Sequence, residues 1–258
     1  MFDAVALSPV GVRVTGLPVG ALDHQRTADL RALLAEHGVV VLPGQDVDNQ
    51  RFLEFLSSFG ELMFTTGETP VPGFPDLNII SNVGRATPPR STFHTDTSYI
   101  RNPPEYTALR AVTVPEDGGH TLFTNQYLAY DTLPIRVRHQ LEGRTITHIV
   151  TGLDLDEDAE TEAEHPIIGV HPLSGRRYLY LSAPKRCGHI SDMSPRLVAD
   201  TVAYLFEHST RDSNVYQHSW SPGDVVLWDN RCVLHRADHS GVIGDRVMHR
   251  GMVSARAV

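Results

Sequence analysis

The 258 residues carry a formal charge of −9, with 41% hydrophobic and 21% charged residues, a globular composition that predicts one domain over residues 1–258 burying roughly 70% of its unfolded surface. The negative balance and the lack of any Lys/Arg run exclude a surface built to track phosphates, so no nucleic-acid partner is expected. Residues 1–20 lack a basic segment followed by an apolar one, no stretch approaches the ~18 apolar residues of a membrane span, and Cys187 and Cys232 alone make no disulfide framework; a soluble cytoplasmic protein is the expectation.

Residues 23–37 place Leu30, Leu33 and Leu34 at helical spacing and stop at Gly38, which predicts a helix followed by a buried strand over 39–42. A second amphipathic helix is predicted for 48–59, with Phe52, Leu53, Leu56 and Phe59 on one face. Residues 73–90 are loop-like apart from an apolar run at 77–80 that has the character of a short strand. A strand at 121–124, helices at 126–131 and 135–141 and a strand at 145–150 follow. Asp154, Asp156, Glu157, Asp158, Glu160, Glu162 and Glu164 then form an acidic stretch without periodicity, which reads as a solvated loop or a lid. A hairpin is predicted from 167–170 and 177–181, a helix capped by Ser194 and opened by Pro195 runs to 208, and strands at 215–220, 225–228 and 246–254 complete the chain. Many short strands with few helices predict a mainly β fold with flanking helices, of the jelly-roll, cupin-like kind.

In Phe93-His94-Thr95-Asp96 an extended backbone points His94 and Asp96 to the same side. Alone this is weak, because 14 histidines make a chance His-x-Asp triplet expected. His235 strengthens it, lying just beyond the apolar and aromatic run that ends in Trp228-Asp229-Asn230-Arg231. Two neutral imidazoles and one carboxylate suit Fe(II) and leave three positions open for a chelating co-substrate and O2. Arg246 and Arg250 share a face of the last predicted strand with Met248 between them; two guanidinium forks imply two anions to hold, one a 2-oxo acid and one the substrate. A competing reading joins His235 and His239 on a helix as a zinc site, but Ala237, Ser240 and Gly241 give no apolar period and no carboxylate base accompanies the pair. A jelly roll that binds a ligand without catalysis is a third reading.

Five motifs, Phe59-Gly60-Glu61-Leu62, Phe93-His94-Thr95-Asp96, Gly118-Gly119-His120-Thr121, Trp228-Asp229-Asn230-Arg231 with His235, and Arg246-Val247-Met248-His249-Arg250, together resemble the taurine and 2,4-dichlorophenoxyacetate dioxygenases over most of the chain. The resemblance implies a double-stranded β-helix with His94, Asp96 and His235 as iron ligands at one mouth. It also implies that Thr121 and Arg246 hold the distal carboxylate of 2-oxoglutarate, that Arg250 meets the anionic group of the substrate, and that Arg90 and Thr97 are further substrate contacts. The implied reaction uses O2 and 2-oxoglutarate to hydroxylate a small carboxylate- or sulfonate-bearing molecule, releasing succinate and CO2, with desaturation or cyclisation as the alternative. Homo-oligomers are implied as well. Asp96 stands where halogenating relatives have a small residue, which favours hydroxylation. Met63-Phe64-Thr65-Thr66 departs from the His-rich stretch of taurine dioxygenases, which counts against taurine itself, and His120 replaces an acidic residue.

Overall fold

The computed structural model describes residues 2–84, 91–153 and 155–254. Helix His24–His37 begins where the Asp23 side chain accepts from the Arg26 N–H at 2.8 Å, and ends at Gly38, whose φ of 75° turns the chain back so that its N–H meets the Leu34 carbonyl. Helix Asn49–Ser57 is capped in the same way by Asp48 on the Arg51 N–H. It stops short of the predicted end at 59, yet Phe59 stays buried with Phe52, Phe55 and Leu56.

Both helices lie on one face of a nine-stranded sheet. Its strands follow the order Asp3–Ala6, Val12–Thr15, Val39–Leu42, Val225–Asp229, Tyr106–Thr113, Val247–Ser254, Phe74–Ser81 and Pro70–Val71, with Glu61–Met63 pairing the far end of Val247–Ser254. Strand Val39–Leu42 is buried throughout because Val40 and Leu42 face the helices while Val39 and Val41 face the interior. On that interior side lies a smaller sheet of Val215–His218, Thr121–Asn125 and Val233–Ala237. Phe123, Tyr127, Trp220, Trp228 and Met248 fill the space between the sheets, which completes a jelly roll. A third cluster, with helix Pro195–Thr210 and Leu141, Ile146 and Leu179, supports the outer side of the smaller sheet.

Three expectations change. The acidic stretch is only partly a loop: Glu162–Pro166 is a strand paired with Thr145–Ile149, so Glu162 and Glu164 are exposed strand residues, and Asp154 lies outside the described residues. The central strand Tyr106–Thr113 goes unpredicted because its first four residues are buried, which removes the period-two alternation that marks a strand. Strand Cys187–Ile190 is likewise new, its pairing with Thr145–Ile149 broken by a register shift. Among the described residues no helix is long and apolar enough to cross a membrane.

Candidate metal centre

His94 and His235 are joined through the main chain, each N–H donating to the other's carbonyl at 3.0 Å. Strand Val233–Ala237 sets His235 opposite Phe123 and against the ring of Trp228, with centroids 4.5 Å apart. The two imidazoles therefore face each other at 4.4 Å. Asp96 completes the group, 3.6 Å from Nε2 of His94 and 3.7 Å from Nε2 of His235. One ligand atom from each residue lies within 4.8 Å of the others, and among the described residues this is the one His/Cys/Asp/Glu cluster able to hold an ion.

The protonation states suit a metal. Nδ1 of His94 sits 2.8 Å from the Thr92 carbonyl, which can only accept, so Nδ1 carries the hydrogen and Nε2 turns its lone pair to the centre. Burial pushes His235 down to about 3, which keeps it neutral. Burial works against the charge of Asp96, but the contacts of His235 and His94 together with the permanent charge of Arg250 hold the carboxyl well below the ordinary range. A carboxylate and two neutral imidazoles, without thiolate, form the donor set expected for Fe(II) with open positions.

The aspartate is steadied by a chain of buried groups that sequence reading missed. Asp96 Oδ2 accepts from the Thr107 hydroxyl at 2.9 Å, Thr107 Oγ1 accepts from Asn230 Nδ2 at 2.8 Å, and Asn230 Oδ1 accepts from the Trp228 indole at 3.1 Å. The Trp-Asp-Asn-Arg motif is thus a frame rather than a set of ligands. Its other members tie the frame down: Asp229 takes His171 Nε2 at 2.9 Å, and Arg231 pairs with Glu105 at 2.6 Å. Thr107 belongs to no motif; only its place opposite Trp228 on the neighbouring strand could have pointed to it.

Arg246 is 1% exposed and has no carboxylate partner among the described residues. Its Nε donates to the Gly119 carbonyl at 2.8 Å and its Nη2 to Thr121 Oγ1 at 3.2 Å, while the buried Nη1 has no partner. Gly119, at φ 68°, leaves the room this requires, since a Cβ there would come within 3.0 Å of the Arg246 Cδ. Thr121 Oγ1 also accepts from the Trp220 indole at 3.0 Å. With two bonds accepted, its own hydrogen is left to donate. Desolvation pushes Arg246 down to about 10. The donors that remain, one guanidinium nitrogen and one hydroxyl, fit a carboxylate.

Arg250 reaches the same site under different conditions. Its Nη1 lies 3.5 Å from Asp96 Oδ1 and its Nη2 2.5 Å from Glu68 Oε2, so two carboxylates already answer its charge. Glu68 lies on the stretch between Glu61–Met63 and Pro70–Val71, where nothing in the sequence singled it out. His94, Thr121, His235, Arg246 and Arg250 border one cavity of about 890 Å³, within the usual size for a small-molecule site. Thr97 stands beside it without lining it: its backbone has φ 45°, and its hydroxyl is 3.2 Å from that of Thr65. Arg90 lies outside the described residues. The zinc alternative loses its premise, since His235 is on strand Val233–Ala237 and no helix carries His239 onto a shared face.

The model of the family described as "Taurine catabolism dioxygenase TauD, TfdA family" matches residues 5–252. An alpha-ketoglutarate-dependent 2,4-dichlorophenoxyacetate dioxygenase of Burkholderia sp. (strain RASC) is 30% identical over 267 residues, covering 92% of this chain and 88% of that protein. An alpha-ketoglutarate-dependent sulfate ester dioxygenase of Pseudomonas putida is 29% identical over 252 residues, covering 88% and 81%. Among solved structures, a taurine dioxygenase from Burkholderia xenovorans superposes with a TM-score of 0.85 at 31% identity, covering 98% of this chain and 91% of that one.

Proposed function

Because the chain belongs to the TauD, TfdA family of 2-oxoglutarate-dependent dioxygenases, we propose that it is a single-domain enzyme that hydroxylates a small organic anion. In this reading His94, Asp96 and His235 hold Fe(II), and Thr121 with Arg246 holds the distal carboxylate of 2-oxoglutarate. The observation that carries it is the buried, unpartnered Nη1 of Arg246 beside Thr121, on a residue that lines the same cavity as His94 and His235. A buried guanidinium without a counterion is costly unless an anion arrives. The metal and co-substrate, when bound, supply the coupled oxidation in which O2 and 2-oxoglutarate give succinate, CO2 and a hydroxylated substrate carbon.

The chain's own residues supply position. The frame of Trp228, Asn230 and Thr107 holds the Asp96 carboxylate toward the metal, and Arg246 with Thr121 anchors the far end of the co-substrate. The relatives named for an aryloxyacetate and for sulfate esters support an anionic substrate here, and hydroxylation next to an ether or ester oxygen would release the fragment beyond it. Two free cysteines support action in a reducing, cytoplasmic setting, and the family reading carries with it a homo-oligomer. The test is optical: anaerobic Fe(II) and 2-oxoglutarate should give the wild-type protein a weak visible charge-transfer absorption that Asp96→Ala and Arg246→Met lack. A fully loaded wild-type protein without that absorption would sink the reading.

A further inference from the structure

Lys185, Arg186, Arg246 and Arg250 all line the cavity, and their charges are answered unequally. Arg250 is matched by Asp96 and Glu68, and Arg246 is bound to Gly119 and Thr121 beside the place proposed for the co-substrate. Among the described residues no carboxylate pairs with Lys185 or Arg186. The charges of iron(II) and dianionic 2-oxoglutarate offset each other, so the loaded cavity keeps the positive charge of these two side chains.

Arg186 is also presented for recognition. It lies on the short turn Pro184–Arg186 before strand Cys187–Ile190, half-buried, with its N–H on the Ala183 carbonyl at 2.7 Å. Its Nε donates to Thr151 Oγ1 at 3.2 Å, and among the described residues its two terminal nitrogens have no hydrogen-bond partner. A guanidinium anchored at Nε with both Nη groups free is disposed for a two-point contact with a planar or tetrahedral anion. The acidic residues 156–158 that follow the cavity-lining Leu153 are exposed, where salt screens them.

Building on the function proposed above, we propose that Arg186, assisted by Lys185, is the head-group site of the prime substrate and takes its carboxylate, sulfonate or sulfate group, while Arg250 stays engaged with Asp96 and Glu68. The substrate's anion then sits on the Pro184–Arg186 turn, away from the final strand where the family resemblance puts it. This makes the turn the specificity element: a chain with neutral residues at 185 and 186 would select a different head group on the same metal centre.

Calorimetric titration of wild-type protein, loaded anaerobically with Mn(II) and 2-oxoglutarate, tests this with phenoxyacetate and hexyl sulfate beside the uncharged phenoxyacetamide and hexanol. The wild type should favour each anion over its uncharged counterpart. Arg186→Met should weaken the anions roughly ten- to a hundredfold and leave the uncharged compounds and 2-oxoglutarate unchanged, with Lys185→Met giving a smaller loss of the same kind. Wild-type affinity for the anions in Arg186→Met, or no preference for anions in the wild type, overturns the proposal, as does a loss seen only in Arg250→Lys. Failure of 2-oxoglutarate to bind metal-loaded wild type is a separate result and strikes the function itself.

Discussion

Arg246 and Arg250 stand four residues apart near the end of the chain, both buried and both lining the cavity, and their surroundings are opposite. Around Arg250 the fold supplies Asp96 and Glu68 within ion-pair distance; around Arg246 it supplies only a carbonyl and a hydroxyl. Burial acts on both, but the two carboxylates raise the pKa of Arg250, whereas nothing offsets desolvation at Arg246 and its pKa falls to about 10. A guanidinium cannot escape an apolar setting by giving up its proton at neutral pH. The uncompensated one is therefore a stored demand for an anion, and the compensated one is part of the metal's surroundings. Sequence spacing made the pair look equivalent; the difference lies wholly in what faces them.

The largest expected effect tests the stored demand directly. Arg246→Met should cost about 2–5 kcal/mol of 2-oxoglutarate binding, read by titration with Mn(II) present, while the melting temperature of the ligand-free protein holds or rises because an unpaired buried charge has gone. In the same melts 2-oxoglutarate should stabilise wild type and not the variant. A ligand-free variant that melts far below wild type would break the contrast, since Arg246 would then be structural.

Next comes the aspartate that quiets Arg250. Thr107→Val removes its hydroxyl donor and should weaken metal binding about 10- to 100-fold, with Thr107→Ser restoring most of it; metal titration followed by intrinsic fluorescence gives the number. Equal losses from Val and Ser would mean that packing rather than the hydroxyl matters.

A third buried base sharpens the comparison because it can lose its proton. His148 is fully buried with neither ring nitrogen hydrogen-bonded, and desolvation, aided by His165 and Arg186, pushes it down to about 3. The unfolded chain takes up that proton near pH 6.5 and the folded chain does not, so stability is whole above pH 6.5 and declines as pH falls from there toward 3, at up to about 1.4 kcal/mol per pH unit. His148→Phe should flatten that slope in ligand-free protein followed by denaturant titration; an unchanged slope would assign it to other groups. The smallest effect is at the other arginine. Glu68→Gln should leave the metal in place and make Arg250 a few-fold more receptive to inorganic sulfate, measured as the sulfate concentration that inhibits substrate-stimulated succinate release.

Capped ends and period made the two helices legible, and the even spacing of Arg246, Met248 and Arg250 located one inner face of the barrel. The triad was legible because His-x-Asp and a distant histidine carry their chemistry in residue type. What escaped depends on contacts between segments far apart in the chain. Tyr106–Thr113 is hidden by burial that erases alternation, and Thr107 is an ordinary strand threonine until Asp96 and Asn230 converge on it. Glu68 and Arg186 sit on irregular segments where no period exists to read.

The reciprocal main-chain bonds between His94 and His235 carry a consequence for how an ion arrives. Two of the three donors are fixed to each other by the backbone before any ion enters, and the third, Asp96, beside the positive φ of Thr97, is held by the Thr107 hydroxyl. Capture then needs little ordering of the chain or of its three side chains, and the entropy change on binding lies mainly in the departing waters. An ion should accordingly exchange without global opening, so amide protons at 94 and 235 should exchange with solvent no faster in the metal-free protein than in the loaded one.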